Sequence, residues 1–141
     1  MHQVYLGLGS NLGDCRKNLE RAILLVSERV GKVTRQSSFV ETEPWGFQSD
    51  NRFLNAVILC ETDKTPREIL RLTQQIERDM GRRKNVKRRL TNRTYTDRPI
   101  DIDILLYDAL SVDEPDLKIP HPLMHERDFV MLPLREINNK L

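Results

Sequence analysis

Two aspartates separated by one residue have the spacing of a metal-binding pair. Asp101 and Asp103 lie in the run Ile-Asp-Ile-Asp-Ile-Leu-Leu at 100–106. In a strand, successive side chains point to opposite faces, so both carboxylates share one face and their Cα atoms are roughly 6.6 Å apart. Because aspartate disfavours strands and like charges at this spacing repel, a shared cation explains the pair better than a solvated acidic face. Magnesium is commonly held by one or two carboxylates with water and phosphate oxygens.

A concentrated basic segment precedes this pair. Residues 81–98 carry eight basic residues and one acidic residue, so the remaining 15 basic and 20 acidic residues give the rest of the chain a net charge of −5. This segregation predicts a polyanionic partner, although charge alone also allows a solvated loop without a ligand. Arginine binds phosphate oxygens bidentately, so basic residues beside paired carboxylates favour a metal-bound polyphosphate.

The hydrophobic pattern predicts six elements that position these residues. In order, they are a strand at 4–9, a helix at 14–30, strands at 33–42 and 53–62, a helix from Thr65 to Gly81 and a strand at 100–107. The second helix has a strong start signal, because Thr65 and Glu68 form a capping box around Pro66. Four prolines divide the C-terminal part, where one further helix is predicted at 132–138.

The order β-α-β-β-α-β predicts an α+β fold of the ferredoxin-like type. Both helices are expected on one face of an antiparallel sheet, with a long basic loop before the last core strand and the other face left for loops and ligand. We expect residues 1–141 to form a single domain, because this length buries a sufficient core. The fold hosts many functions, so the function must come from the site.

Composition and motif spacing exclude several classes of protein. No apolar run approaches the ~20 residues of a membrane span, and the N-terminus does not resemble a signal peptide, so we expect a cytoplasmic protein with no membrane partner. The glycines at 7–13 match neither the dinucleotide fingerprint nor the P-loop. His121 and His125 do not form the zinc motif His-Glu-x-x-His, and Pro122 disfavours a shared helix.

The chain as a whole resembles the 6-hydroxymethyl-7,8-dihydropterin pyrophosphokinase family. The segments that carry the resemblance are LGSNLGD at 8–14, SSF at 37–39, TEPWG at 42–46, FLNA at 53–56, QQIE at 74–77, GR at 81–82, DIDIL at 101–105, IPHP at 119–122 and RDFV at 127–130. The resemblance implies an ATP-dependent transferase of folate biosynthesis. Such an enzyme moves pyrophosphate from ATP to the hydroxymethyl group of the pterin and releases AMP.

The resemblance also implies roles for individual residues. Asp101 and Asp103 would hold two Mg²⁺ ions on the phosphates of ATP, and Arg82 and Arg98 would clamp the phosphates, which makes these four the catalytic set. The positions that match the family's ATP site are Gln74, Glu77, Arg82, Arg98, Ile104, His121 and Arg127.

The pterin site is implied in the same way. The positions that match it are Thr42, Pro44, Trp45, Phe53, Asn55 and Phe129. Asn55 would recognise the donor and acceptor edge of the ring, and Phe53 and Phe129 would stack on its two faces. Without the resemblance, core packing would be the preferred interpretation of both phenylalanines.

Two other interpretations remain open from the sequence. One is a small ferredoxin-like nucleic-acid-binding module that uses the basic segment 82–98. Paired aspartates at the end of that segment argue against it, because they would repel phosphate in the absence of metal. The other is a catalytically silent scaffold, which the aspartate pair disfavours. We therefore expect a monomer whose partners are two small molecules, ATP and the pterin, and not nucleic acid.

Overall fold

The computed structural model describes residues 1–42, 53–81 and 99–138, and contains seven strands, three α-helices and one 3₁₀ turn in those ranges. They are β1 (His2–Ser10), α1 (Cys15–Arg29), β2 (Lys32–Gln36), β3 (Val40–Thr42), β4 (Phe53–Thr62), α2 (Pro66–Asp79), β5 (Asp101–Tyr107), β6 (Val112–Glu114), β7 (Leu117–Ile119), the 3₁₀ turn (Met124–Glu126) and α3 (Asp128–Ile137). The predicted α+β class with an antiparallel sheet and helices is confirmed.

A five-stranded sheet forms the centre of the molecule. Its order is β2-β4-β1-β5, β3 also pairs with β4, and every pairing is antiparallel. The long central pair β1–β4 runs in unbroken register from His2 opposite Thr62 to Ser10 opposite Leu54. β5 pairs with β1 on one side and lies at the end of the strand order in the described part of the chain.

The strand predicted at 33–42 is two strands in the structure. β2 ends at Gln36 opposite Ile58, and β3 begins at Val40 opposite Asn55. Between them, the Ser37 N–H donates to the Val57 carbonyl and the Ser37 hydroxyl accepts from the Val57 N–H, both at 2.9 Å. A side-chain oxygen thus replaces a backbone carbonyl in the ladder, and this allows the strand to break without leaving a buried N–H unpaired.

Helices α1 and α2 cover one face of the sheet. Their apolar stripes pack on alternate residues of β1, β4 and β5 and form the helix-side core. Its fully buried side chains include Leu6, Leu19, Val26, Ile58, Ile69 and Ile76. Cys60 belongs to this core, where burial and, to a lesser extent, Glu61 raise the pKa of its thiol to about 11. It therefore behaves as a small hydrophobic residue.

The opposite face carries α3, which the sequence placed wrongly at 132–138. The helix begins at Asp128 and continues through Pro133. Because proline has no N–H, the Phe129 carbonyl loses its helical donor, and packing can offset the loss of this one bond. The packing forms a second cluster, the α3-side core, made of Val57, Leu59, Leu105, Met124, Val130, Met131, Leu134 and Ile137. The face expected to hold only loops and ligand is therefore partly covered by a helix.

Polar contacts join the C-terminal end of α3 to the segment between β2 and β3. The backbone N–H and the hydroxyl of Ser38 each donate to the Glu136 carboxylate at 2.8 Å. Arg35 donates to the Ile137 carbonyl at 2.9 Å, which satisfies one of the acceptors at the end of the helix. In the described part of the chain, no helix is both long and apolar enough to cross a membrane.

The capping box of α2 supplies a stability test. The Thr65 hydroxyl accepts from the Glu68 N–H at 3.2 Å, and the Glu68 carboxylate accepts from the Thr65 N–H at 3.0 Å. We expect Thr65→Ala to lower the free energy of unfolding by about 1 kcal/mol, measured by urea denaturation. Thr65→Ser keeps the hydroxyl and is the matched control. Equal losses in both variants would contradict the capping role.

A second prediction concerns acid stability. The Asp108 carboxylate accepts from the Gln3 N–H and from His2, each at 2.7 Å, and these bonds, the first most strongly, lower the pKa of Asp108. A lowered folded-state pKa gives stability that is present above the ordinary pKa and is lost as pH falls through the folded value. We expect unfolding free energy to fall less steeply for Asp108→Asn than for wild type between about pH 5 and pH 2. Identical pH profiles would disprove this.

Candidate active site

A cleft opens on the α3 side of the sheet, between β3 and the first turn of α3. Its floor is formed by β1, β4 and β5, and it encloses about 590 Å³ of space, counting the part open to solvent. Seven of the residues predicted from the sequence line it, namely Thr42, Phe53, Asn55, Asp101, Asp103, Arg127 and Phe129.

The two aspartates share one face of β5, as the alternation predicted. Asp101 and Asp103 line the cleft and are half-buried, whereas Ile102 and Ile104 are buried in the helix-side core. No group of three or more histidine, cysteine or acidic residues that could hold a metal ion occurs in the described ranges. Two carboxylates on one strand face can supply hard oxygen ligands to a metal ion whose other ligands come from a phosphate.

Gly7 and Gly9 form the floor directly opposite the aspartates. Gly7 pairs with Asp103 and Gly9 pairs with Asp101, and both glycines line the cleft. A Cβ atom on Gly9 would lie 3.0 Å from the Asn55 Oδ1, closer than most real Cβ contacts. Glycine inside a strand often marks a place where a ligand approaches the backbone. The sequence signal for this floor is a pair of glycines at alternate positions of one strand, which a comparison with nucleotide-binding motifs alone does not reveal.

Asn55 is held in one orientation at the base of the cleft. Its side chain is buried, and its Nδ2 donates to the Thr42 hydroxyl at 2.9 Å while its Oδ1 faces Gly9. A side-chain amide has two N–H donors and one carbonyl acceptor. Asn55 can therefore offer a donor and an acceptor side by side to the edge of a planar heterocycle.

The walls of the cleft combine aromatic rings with a buried positive charge. Phe53 on β4 and Phe129 on α3 both line it. Arg127, which precedes α3 and is only 8% exposed, has its guanidinium over the Phe129 ring at 5.6 Å from the centroid. Arginine is rarely this buried unless it is paired. Its place beside two carboxylates suits a ligand that has both a flat ring and phosphate oxygens.

His121 lies beside the cleft and does not line it. Its backbone N–H donates to the Leu105 carbonyl at 3.0 Å, and its Nδ1 accepts from the Leu123 N–H at 3.3 Å. Burial, followed by the positive charge of Arg127, lowers the pKa of His121, and Asp101 opposes this shift. A neutral imidazole that accepts at Nδ1 carries its proton on Nε2. His121 can therefore donate a hydrogen bond from Nε2 without adding charge.

Three other residues predicted for ATP binding also lie outside the cleft lining. The Ile104 side chain is buried in the helix-side core, so only its backbone could reach a ligand. Gln74 is exposed on α2, and the Glu77 carboxylate accepts from the Ile102 N–H at 2.8 Å. The predicted residues Pro44, Trp45, Arg82 and Arg98, and the basic segment 82–98, are outside the described ranges.

Comparisons with known proteins place the chain in a family. Residues 5–139 match the model of the family described as 7,8-dihydro-6-hydroxymethylpterin-pyrophosphokinase (HPPK). A relative from Porphyromonas gingivalis, named 2-amino-4-hydroxy-6-hydroxymethyldihydropteridine pyrophosphokinase, is 47% identical over 135 residues, which are 95% of this chain and 89% of the relative. The Bacillus subtilis protein of the same name is 40% identical over 134 residues, covering 94% of this chain and 76% of its own length.

A structural comparison agrees at the level of the fold. The HPPK-DHPS wild type of Plasmodium falciparum with pteroate superposes with a TM-score of 0.75 at 16% identity, over 96% of this chain and 40% of that chain. Identity this low supports the fold alone. The match of the family model to nearly the whole chain, together with the identities to the bacterial relatives, shows that the chain belongs to the 7,8-dihydro-6-hydroxymethylpterin-pyrophosphokinase family.

Proposed function

We propose that this protein is an ATP-dependent pterin pyrophosphokinase of folate biosynthesis. It transfers pyrophosphate from ATP to the hydroxymethyl group of 6-hydroxymethyl-7,8-dihydropterin and releases AMP. The observation that carries this function is that a site for a flat ring adjoins a carboxylate pair and a buried arginine within one cleft. The comparisons give no support to the nucleic-acid-binding alternative, which we set aside.

The pterin binds between the rings of Phe53 and Phe129. The flat glycine floor leaves room for the heterocycle, and Asn55, oriented by Thr42, pairs with its edge. Matching a buried amide to the ring edge gives specificity, because an analogue with the wrong edge would leave those polar atoms unpaired. Pro44 and Trp45 remain predicted members of this site.

Asp101 and Asp103 are the residues that hold magnesium. The fit is supported by their position on one strand face at the cleft, opposite glycines whose backbone leaves space beside the carboxylates. When bound, Mg²⁺ neutralises phosphate charge and polarises the phosphoryl group to be transferred. That two ions bind remains a prediction.

The residues of the chain act by binding and orientation. Arg127 contacts phosphate oxygens, neutral His121 donates from Nε2, and Gln74 and the Ile104 backbone contact the nucleotide. Arg82 and Arg98 stay predicted phosphate ligands.

The pterin hydroxyl oxygen bonds to the β-phosphorus and loses its proton, while the bond from that phosphorus to the α,β-bridging oxygen breaks and AMP departs. Holding both substrates in line supplies much of the acceleration, since no covalent intermediate is needed.

The finer description of the molecule belongs to the same proposal. The strand order β2-β4-β1-β5 with antiparallel neighbours supports the ferredoxin-like topology. A single domain over 1–141, a monomer and a cytoplasmic location remain predictions.

The activity can be tested directly. With protein, Mg²⁺, ATP and 6-hydroxymethyl-7,8-dihydropterin, we expect AMP to form in equal amount to the pterin diphosphate, both measured by chromatography. Omission of the pterin is the control, and AMP should then be absent because the acceptor hydroxyl is missing. Pterin-independent AMP, or binding of RNA without turnover, would refute the proposed activity.

Loss of either carboxylate is expected to remove catalysis. Asp101→Ala and Asp103→Ala should each lower kcat by at least about a thousandfold, with near-wild-type unfolding free energy because both side chains are half-buried at the cleft. Asp113→Asn, on the β6–β7 hairpin and paired with Lys118, is the matched control and should keep its activity. Wild-type turnover in both alanine variants would remove the metal assignment.

The glycine floor gives a prediction specific to the pterin. In Gly9→Ala, the new methyl group would press on the Asn55 Oδ1, so the amide must shift and the KM for pterin should rise by about tenfold, with little change in the KM for ATP. Gly7→Ala is the matched comparison, because its Cβ would meet the flexible Leu105 side chain at 3.4 Å, an ordinary contact. An unchanged pterin KM in Gly9→Ala would show that the ring does not lie there.

A further inference from the structure

A third carboxylate contacts β5 between the two aspartates, from the side of the strand away from β1. Glu77, near the C-terminal end of α2, accepts a hydrogen bond from the Ile102 N–H at 2.8 Å. Ile102 is the residue between Asp101 and Asp103, and its side chain is buried in the helix-side core. The contact therefore joins α2 to the backbone from which both aspartates extend.

The position of β5 makes this contact important. β5 pairs with β1 on one side only in the described part of the chain, and the Ile102 N–H donates to Glu77 on the other side. The residues of β1 opposite the aspartates are Gly9 and Gly7, which have no side chains to support the carboxylates laterally. The β1 ladder therefore holds the backbone of this segment on one side, and the bond to Glu77 holds it on the other.

The part of α2 that carries Glu77 is packed on the sheet. Its neighbour Ile76 is completely buried in the helix-side core, which also contains Ile102 and Ile104. A bond to an ionised acceptor is stronger than one between neutral groups. No cluster of three metal-binding side chains exists in the described ranges, so Glu77 does not join the aspartates as a third ligand there.

We infer that Glu77 is a positioning residue for the transfer reaction, which fixes the strand segment that presents Asp101 and Asp103 to the cleft. This role differs from the ATP contact that the family resemblance implies for Glu77. It rests on the proposed function in one respect, namely that Asp101 and Asp103 hold magnesium. It acts through the backbone of Ile102, so it does not require Glu77 to touch the nucleotide.

The test compares Glu77→Ala with Glu77→Gln, whose carbonyl oxygen can still accept from the Ile102 N–H. In Glu77→Ala we expect kcat to fall by about tenfold to a hundredfold, because small displacements of catalytic groups have effects of this size. The Mg²⁺ concentration for half-maximal activity should rise, while the KM for ATP changes by less than about twofold. Glu77→Gln should restore kcat to within about threefold of wild type, as a neutral acceptor only weakens the bond.

Amide hydrogen exchange gives a readout independent of activity. In the metal-free protein, exchange at Ile102 should be at least about tenfold faster in Glu77→Ala than in wild type, and exchange at Ile58, in the centre of β4, should be unchanged. Unchanged exchange at Ile102 would overturn the inference. So would a KM for ATP that rises about tenfold in both variants, the pattern of a charged nucleotide ligand.

Failure of the inference and failure of the proposed function can be told apart. If the wild-type protein forms no AMP from ATP and pterin, the proposed function is wrong, whatever the exchange at Ile102. If wild type is active and Glu77→Ala matches it in kcat and in Mg²⁺ dependence, the positioning role is wrong and the function stands. If Glu77→Ala fails to fold, the KM for ATP of Glu77→Gln still tests the inference. A charged nucleotide ligand at position 77 would lose its charge in this variant, and the KM for ATP would rise about tenfold. A positioning residue would leave that KM nearly unchanged.

Discussion

Repulsion between two carboxylates on one strand face is the constraint around which this molecule is organised. Asp101 and Asp103 must point to the same face of β5, because the isoleucines between and on either side of them are buried in the helix-side core on the other face. The pair lies on β5, the last strand of the sheet order within the described ranges, opposite glycines and with the guanidinium of Arg127 in the same cleft. Like charges at this spacing favour a bound cation, so the cleft suits a ligand that combines cations with anionic oxygens.

Much of the fold could be predicted from local patterns, because periodicity and capping act within a few residues. The strand at 53–62 and the capped start of α2 at Pro66 are examples. The predicted start of α3 is wrong, because four prolines divide this part of the sequence into short pieces, whereas the apolar contacts that compensate for Pro133 come from distant strands. The break at Ser37 was also missed, because a hydroxyl that completes a ladder depends on its partner Val57.

The candidate site was predictable to a different degree. Residue chemistry and strand alternation identified the aspartate pair, whereas Phe53 and Phe129 came only from the family resemblance. The role of Gly9 depends on its register with Asn55 and Asp101, and strand register is a long-range property. The burial of Ile104 and the contact of Glu77 with β5 likewise depend on tertiary packing, which no local pattern encodes.

The bonds from Ser38 to Glu136 have a consequence for the shape of the cleft. α3 carries Phe129 in its first turn and Glu136 in its last, and these are separated by about 10 Å along the helix axis. β3, which carries Thr42, begins two residues after Ser38. β3 and α3, which lie on either side of the cleft, are thus connected through the contact between Ser38 and Glu136. Substitutions of Ser38 or Glu136 would therefore change the width of the cleft without replacing a residue that lines it.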